Sequence, residues 1–193
     1  KDINRNGWAI ECRINAEDPI RNFLPSIGRL VRYRPPTEVP GAVRVDTGVY
    51  EGGEISMHYD SMIAKLVCHG ETRDGAIERM RDALNAFVIR GVASNIAFQS
   101  ALVQHPRFIA GQFTTAFIAE EYPKGFSPAD LVHDNPEFLI ALAGAVHRTY
   151  RDRAARIEGQ VPGYELKIGS DYFVMGGPTE RAVTVRPVDG GCD

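Results

Sequence analysis

Arg13 is the residue best placed to do chemistry. In the segment from Trp8 to Glu17, Ile10, Cys12, Ile14 and Ala16 alternate with Glu11, Arg13, Asn15 and Glu17. That period of two is the signature of a half-buried strand with Arg13 on its polar side. A guanidinium fixed there can grip a planar oxyanion through paired hydrogen bonds and stabilise negative charge growing on an oxygen. Lysine would supply the charge without the planar fork. The competing reading is a solvated arginine on an open sheet face.

Other reactive residue types lack a working arrangement. His58, His69, His105, His133 and His147 share no ligand spacing, so no metal site is expected. Gly176-Gly177 and Gly190-Gly191 lie between strand-like segments with no helix following, which reads as turns and not as a phosphate cradle. Cys12, Cys68 and Cys192 are odd in number, far apart and without CxxC spacing, which fits a reducing compartment.

The elements that must position Arg13 follow from pattern and punctuation. Further strands are expected over 29–33, 43–50, 55–59 and 62–69, with Glu51-Gly52-Gly53-Glu54 as a hairpin turn. After Gly70 the period changes. Ile77, Met80, Leu84 and Phe87 or Val88 fall on one helical face, Thr72 can cap its start and Gly91 can close its end. Two shorter helices are expected over 95–104, stopped by Pro106, and 114–121, stopped by Pro123. Strands first and helices second, without βαβ alternation, predict an α+β fold: an antiparallel sheet with helices packed on it.

A break at 122–128 marks the expected domain boundary, with one domain over 1–126 and another over 127–193. Asn135-Pro136 can start a long helix reaching about Glu158. Its first half, 138–146, is apolar nearly all round and predicts burial on several sides, whereas 148–156 is charged. Strands are expected over 164–168, 172–175 and 182–188. Three short strands cannot enclose that helix, so the second domain is expected to be the start of an incomplete antiparallel barrel, completed by further sequence or another molecule.

Composition sets outer bounds. The chain has 193 residues, 22 basic against 25 acidic, and no clustered basic excess before residue 130, which argues against nucleic acid as the main partner. No run nears the roughly 20 apolar residues that cross a bilayer, so a membrane partner is not expected. Lys1 leads straight into a strand without a start methionine, so an excised fragment is expected.

The ordered motifs Glu11-Cys12-Arg13-Ile14-Asn15-Ala16-Glu17-Asp18-Pro19, Phe23-Leu24-Pro25-Ser26, Val43-Arg44-Val45-Asp46, Tyr59-Asp60-Ser61-Met62-Ile63-Ala64-Lys65-Leu66 and Arg79-Met80-Arg81-Asp82-Ala83-Leu84 resemble the C-terminal part of biotin carboxylases. The resemblance runs from Gly7 to about Tyr122. Within the family, Glu120-Glu121-Tyr122-Pro123-Lys124-Gly125-Phe126 is most similar to the propionyl-CoA carboxylase branch. The region after Asp134 is similar to that branch's linker domain, in which a long helix is wrapped by an antiparallel barrel.

The resemblance implies a ligase that carboxylates carrier-bound biotin with ATP and bicarbonate by way of carboxyphosphate. It implies Arg13 as the arginine that contacts biotin and bicarbonate, and Phe23 as a biotin contact, for which a core aromatic is the alternative. Arg44 and Asp60 match positions near the face where two biotin carboxylase domains meet, with a local ion pair and a turn cap as equal alternatives. Biotin, ATP and Mg²⁺ or Mn²⁺ are the implied cofactors. The ATP-binding lobe, the biotin carrier domain of the same chain, a carboxyltransferase β subunit and a second copy are the implied partners. The glycine loop for ATP, the metal-binding glutamates and Met-Lys-Met are absent from these residues. The chain alone is therefore expected to be inactive. The arginines from Arg148 to Arg156 are expected to face a partner subunit or water, with Arg148, Asp152 and Arg156 as i,i+4 neighbours. Bacterial cytoplasm and mitochondrial matrix both suit the family. The competing functional class is a non-catalytic assembly module, and a variant reading is the same segment of another acyl-CoA carboxylase.

Overall fold

Alternation in the first strand places Cys12, Ile14 and Ala16 against the core and leaves Glu11 and Arg13 outside. In the computed structural model, residues 6–58, 60–131, 135–176, 179–188 and 191–192 are described. Tyr59, His133, Asp134, Gly177, Gly190 and the segment opening at Lys1 lie outside the described residues. Contacts divide the chain into two units, Lys1–Val132 and His133–Asp193. The division falls beyond the boundary expected after Phe126, because the ring of Phe126 packs edge-on against Phe98 and Leu131 joins the same cluster.

In the first unit the strands are β1 (Trp8–Asn15), β2 (Glu17–Asp18), β3 (Leu24–Pro25), β4 (Gly28–Arg29), β5 (Arg32–Arg34), β6 (Val43–Thr47), β7 (Glu54–Ile55), β8 (Met62–Gly70) and, after the first helix, β9 (Val88–Arg90). The helices are α1 (Arg73–Ala86), α2 (Ile96–Gln104), α3 (Pro106–Ile109) and α4 (Phe117–Glu121). The main sheet has the order β1-β8-β6, and every strand pairing is antiparallel. With α1 laid across β8 and β1, this is the expected α+β arrangement. Ile77, Met80, Ala83 and Leu84 line the buried face of α1, and the last three share one core cluster with Ile14, Leu66 and Cys68. Each large side chain sealed there contributes about 1.5–3 kcal/mol relative to exposure.

Several boundaries differ from expectation, each for a local reason. The strand expected over 29–33 is split: the Leu30 amide donates to Gly53 O and the Val31 amide to Arg90 O, so the chain changes partner between β4 and β5. β6 stops at Thr47, whose hydroxyl accepts the Val49 amide at 3.3 Å and starts a turn. Ser56 Oγ likewise accepts the His58 amide and ends β7 after Ile55. Residues 51–54 do turn, but β7 pairs with β4 and β6 with β8, so no hairpin forms there. Helix α1 ends at Ala86, and Val88 belongs to β9, because Ile89 is needed opposite Tyr33. Gly91 has φ +103°, and a Cβ there would lie 2.1 Å from Arg29 O, so that strand exit requires glycine. Pro106 starts α3, with His105 Nδ1 accepting the Arg107 amide, and the helix expected from 114 begins at Phe117.

The second unit contains α5 (Pro136–Ala155) and the strands β10 (Asp171–Gly176), β11 (Thr179–Thr184), β12 (Pro187–Val188) and β13 (Gly191–Cys192). Asn135 Oδ1 caps α5 by accepting the Phe138 amide at 3.0 Å. Residues 164–168 are not a strand: the Leu166 amide is taken by Gln160 Oε1 and the Gly163 amide by Glu165 Oε1, so side chains satisfy this backbone. Antiparallel pairing joins β10 to β11 and β12 to β13, and no closed barrel is seen among the described residues. Within the described residues of this unit, α5 packs against β10 and β11 on one side. A Cβ at Gly144 would lie 3.1 Å from Val185 Cγ2 and 3.3 Å from Val183 Cγ1, so the helix comes close to the sheet there, while Phe138, Leu139, Leu142 and Val146 stay 46–59% exposed.

Arg148 corrects the expectation of a solvated or partner-facing arginine. It is 9% exposed, its Nε reaches Asp152 Oδ1 at 3.0 Å, and its Nη1 donates to Gly169 O and Val185 O. It ties α5 to the ends of β10 and β11. We expect Arg148→Lys, which keeps charge but loses the fork, to speed amide exchange at Val183 and Val185. Arg153→Lys on the exposed side should leave both unchanged, and equal exchange in the two variants would contradict the tie.

Cys12 and Cys68 are buried and free. Burial pushes the Cys12 thiol up to about 12, with Cys68 and Glu11 adding to it, and pushes Cys68 up to about 11 despite the opposing effect of Arg79. A raised folded value means that these thiols favour the folded state fully below the unfolded thiol value, about 8.5, and lose that contribution as pH rises towards 11–12. Peptide-resolved labelling with a thiol reagent at pH 8 should therefore modify both only as fast as the unit opens. Labelling of Cys12 at the rate of a free thiol would contradict its placement.

Candidate functional site

The outer face of the main sheet carries crossed rows of side chains. Arg13, Lys65 and Asp46 stand in register across β1, β8 and β6, and Glu11, Val67 and Arg44 form the next row. The Arg13 side chain is 67% exposed, and its one ion pair among the described residues is with Glu11, at 3.6 Å from Nε. No hydrogen bond from its terminal nitrogens is found among the described residues, so the fork is accessible from solvent.

The backbone under Arg13 is held firmly. One edge of β1 pairs with β8, but the ladder slips between Ile14 and Asn15. On the other edge α2 supplies side chains in place of a strand. Asn95 Nδ2 donates to Arg13 O at 3.0 Å, Asn95 Oδ1 accepts the Asn15 amide at 3.0 Å, and the Asn95 amide donates to Asn15 O at 3.2 Å. Gln99 Nε2 adds a longer contact to Arg13 O at 3.4 Å. Beyond the slip, Asn15 Nδ2 and Ser61 Oγ both donate to Glu17 Oε1, at 3.3 and 2.6 Å. Asn15 Oδ1 is the buried side-chain oxygen left without a partner among the described residues. Flipping that amide would set oxygen against Glu17, so the donation to Glu17 fixes its orientation.

Phe23 is presented by a strained loop. Asp18 caps a 3₁₀ turn over Pro19–Arg21, and Asn22 and Phe23 then both adopt left-handed backbone, with φ 53° and 58°. The Phe23 amide returns to Asp18 O at 2.8 Å, and β2 pairs with β3 to close the loop. The half-buried ring packs edge-on against Phe98 of α2 at 4.9 Å. One helix thus supports both expected residues: Asn95, just ahead of its first turn, holds Arg13, and Phe98 holds Phe23. Sequence reading missed Asn95 and Gln99, since an asparagine before a helix reads as a cap. In the structure its side chain caps nothing and reaches the strand instead.

Arg44 and Asp60 have local partners. Arg44 Nη2 meets Asp46 Oδ2 at 3.0 Å, and Asp60 Oδ1 accepts the Met62 amide at 3.0 Å ahead of β8. Arg44 also lines an open cleft of about 450 Å³ with Glu38, Val43 and His69, to which neither Arg13 nor Phe23 contributes. Among the described residues no group of His, Cys, Asp and Glu is arranged to hold a metal ion, and no helix is long and apolar enough to cross a membrane.

Comparison with known proteins places these residues in a family. Residues 11–120 match the family model described as Biotin carboxylase C-terminal domain, and residues 139–193 match Propionyl-coenzyme A carboxylase BT domain. The propionyl-CoA carboxylase alpha chain of Ruegeria pomeroyi is 46% identical over 202 residues, covering 95% of this chain and 30% of that protein. The human mitochondrial propionyl-CoA carboxylase alpha chain is 44% identical over 158 residues, covering 81% and 22%. Among solved structures, the biotin carboxylase domain of a thermophilic 2-oxoglutarate carboxylase bound to bicarbonate superposes with a TM-score of 0.59 at 42% identity, covering 63% of this chain and 27% of that one. The chain spans less than a third of these curated relatives. With its family match spanning the sheet, α1, α2 and the open arginine, this chain belongs to the biotin carboxylase C-terminal domain family.

Proposed function

We propose that this chain is the C-terminal part of a biotin carboxylase component, followed by the start of a linker domain whose barrel closes around α5, and that it works within a propionyl-CoA carboxylase. The observation that carries this reading is Arg13: its guanidinium is open while its backbone is held from both edges of β1. A relative 42% identical to this chain was solved with bicarbonate, an anion whose planar oxygens suit that fork.

When bound, biotin would supply the ureido nitrogen to be carboxylated. Carboxyphosphate, formed from bicarbonate and ATP with release of ADP, would break to CO₂ and phosphate, and the phosphate would take the nitrogen's proton as the new N–C bond forms. Arg13 holds the bicarbonate oxygens through paired hydrogen bonds and then stabilises charge developing on the ureido oxygen. Its charge needs no proton transfer, and a strand held at both edges needs little reorganisation. Phe23, supported by Phe98 of α2, would offer an apolar edge to biotin. The residues present fit the oxyanion and the ureido group, and the described residues supply no group arranged to hold Mg²⁺, which a separate lobe would bind together with ATP. Carrier domain, carboxyltransferase β subunit and a second copy are its partners, with Arg44 and Asp60 on the side facing the second copy. Its compartment is bacterial cytoplasm or mitochondrial matrix, as for its relatives.

In a full-length subunit carrying this segment, Arg13→Ala should lower bicarbonate-dependent ATP cleavage with free biotin by about 10²–10³-fold, the scale of losing one oxyanion donor. Undiminished turnover would refute the role and favour the assembly reading. Calorimetry of the present chain with MgATP should give no binding isotherm. A clear isotherm would show that nucleotide contacts reside here after all.

A further inference from the structure

We infer that Asn95 is the positioning residue for Arg13, replacing a neighbouring strand on the outer edge of β1 beside the point where the β8 ladder slips. The inference rests on the proposed role of Arg13. β1 needs partners on its outer edge, and one residue supplies three bonds across Arg13 O, the Asn15 amide and Asn15 O. The slip between Ile14 and Asn15 means that β8 cannot set this stretch by regular pairing. Asn95 is only 5% exposed, so bulk water does not readily replace what it gives. The task needs a donor and an acceptor on one short planar group, which asparagine has. The bonds Asn95 makes here all go to the β1 backbone, so its role is positioning, exerted through the backbone of Arg13.

A double-mutant cycle in the full-length subunit tests this, with kcat/KM for free biotin, KM for ATP and the melting midpoint as readouts. Asn95→Ala should lower kcat/KM for biotin by about 10–100-fold, the scale expected when a reacting group moves by roughly 1 Å. KM for ATP should stay within about twofold, and in the Arg13→Ala background the further loss should shrink to less than about threefold, because both changes act through one group. The midpoint should fall equally in both backgrounds. A full loss on top of Arg13→Ala, or a loss matched by the fraction of unfolded protein, would overturn the inference. So would a parental kcat/KM in Asn95→Ala while Arg13→Ala is impaired. An unimpaired Arg13→Ala would sink the underlying reading and this one together. If Asn95→Ala does not fold, Asn95→Asp keeps the shape and the acceptor for Asn15 but removes the donor to Arg13 O. Parental kcat/KM in that variant would equally overturn the role.

Discussion

Everything in the first unit depends on satisfying both edges of β1. A strand carries donors and acceptors along both sides, and burying either without partners costs about 1–3 kcal/mol per group. β8 satisfies one edge through a ladder from Trp8 to Asn15, and α2 satisfies part of the other through Asn95 and Gln99. With both edges occupied β1 cannot rotate, so its alternation becomes a fixed inside and outside. Cys12 and Ile14 pack under α1, and Arg13 is held outward.

The aromatic loop shows a similar exchange of strain for position. Left-handed backbone at a non-glycine residue costs roughly 1–2 kcal/mol, and Asn22 and Phe23 both adopt it. Against this stand the Phe23 amide bond to Asp18 O and the edge-on contact with Phe98, the contact being worth about 0.5–1.5 kcal/mol beyond area burial. Phe98 in turn meets Tyr122 and Phe126 in the same geometry, so the ring under Phe23 is itself immobilised. The net strain is small and fixed in place.

The second unit follows a different principle. Its strands are short, and Arg148 does work that a larger core would otherwise do, bonding Asp152 on its own helix and the carbonyls of Gly169 and Val185. The acceptors hold that guanidinium more firmly charged than an ordinary arginine, chiefly through Asp152. Removing one partner would leave a charge in a poorly solvated place, which is why such residues constrain geometry more than they add stability. Identical arginine chemistry thus serves opposite ends in the two units, as an open fork at Arg13 and a spent one at Arg148.

By itself the sequence determined what repeats locally. The two-residue period of 8–16 and the three-to-four-residue face of Ile77, Met80 and Leu84 are consequences of backbone geometry that no tertiary contact had to supply. The motif run from Glu11 to Leu84 was enough to identify the family. Partner choice was not legible. That Leu30 and Val31 turn to different strands, that 164–168 is bonded by side chains, and that Arg148 is spent on two distant carbonyls all depend on residues remote in sequence. Asn95 is the clearest case: a helix-start asparagine in the sequence, it became the outer partner of β1 only once folding set α2 beside Arg13. A hydrogen bond between residues 82 apart is decided by packing, because either residue alone has many equally good local partners.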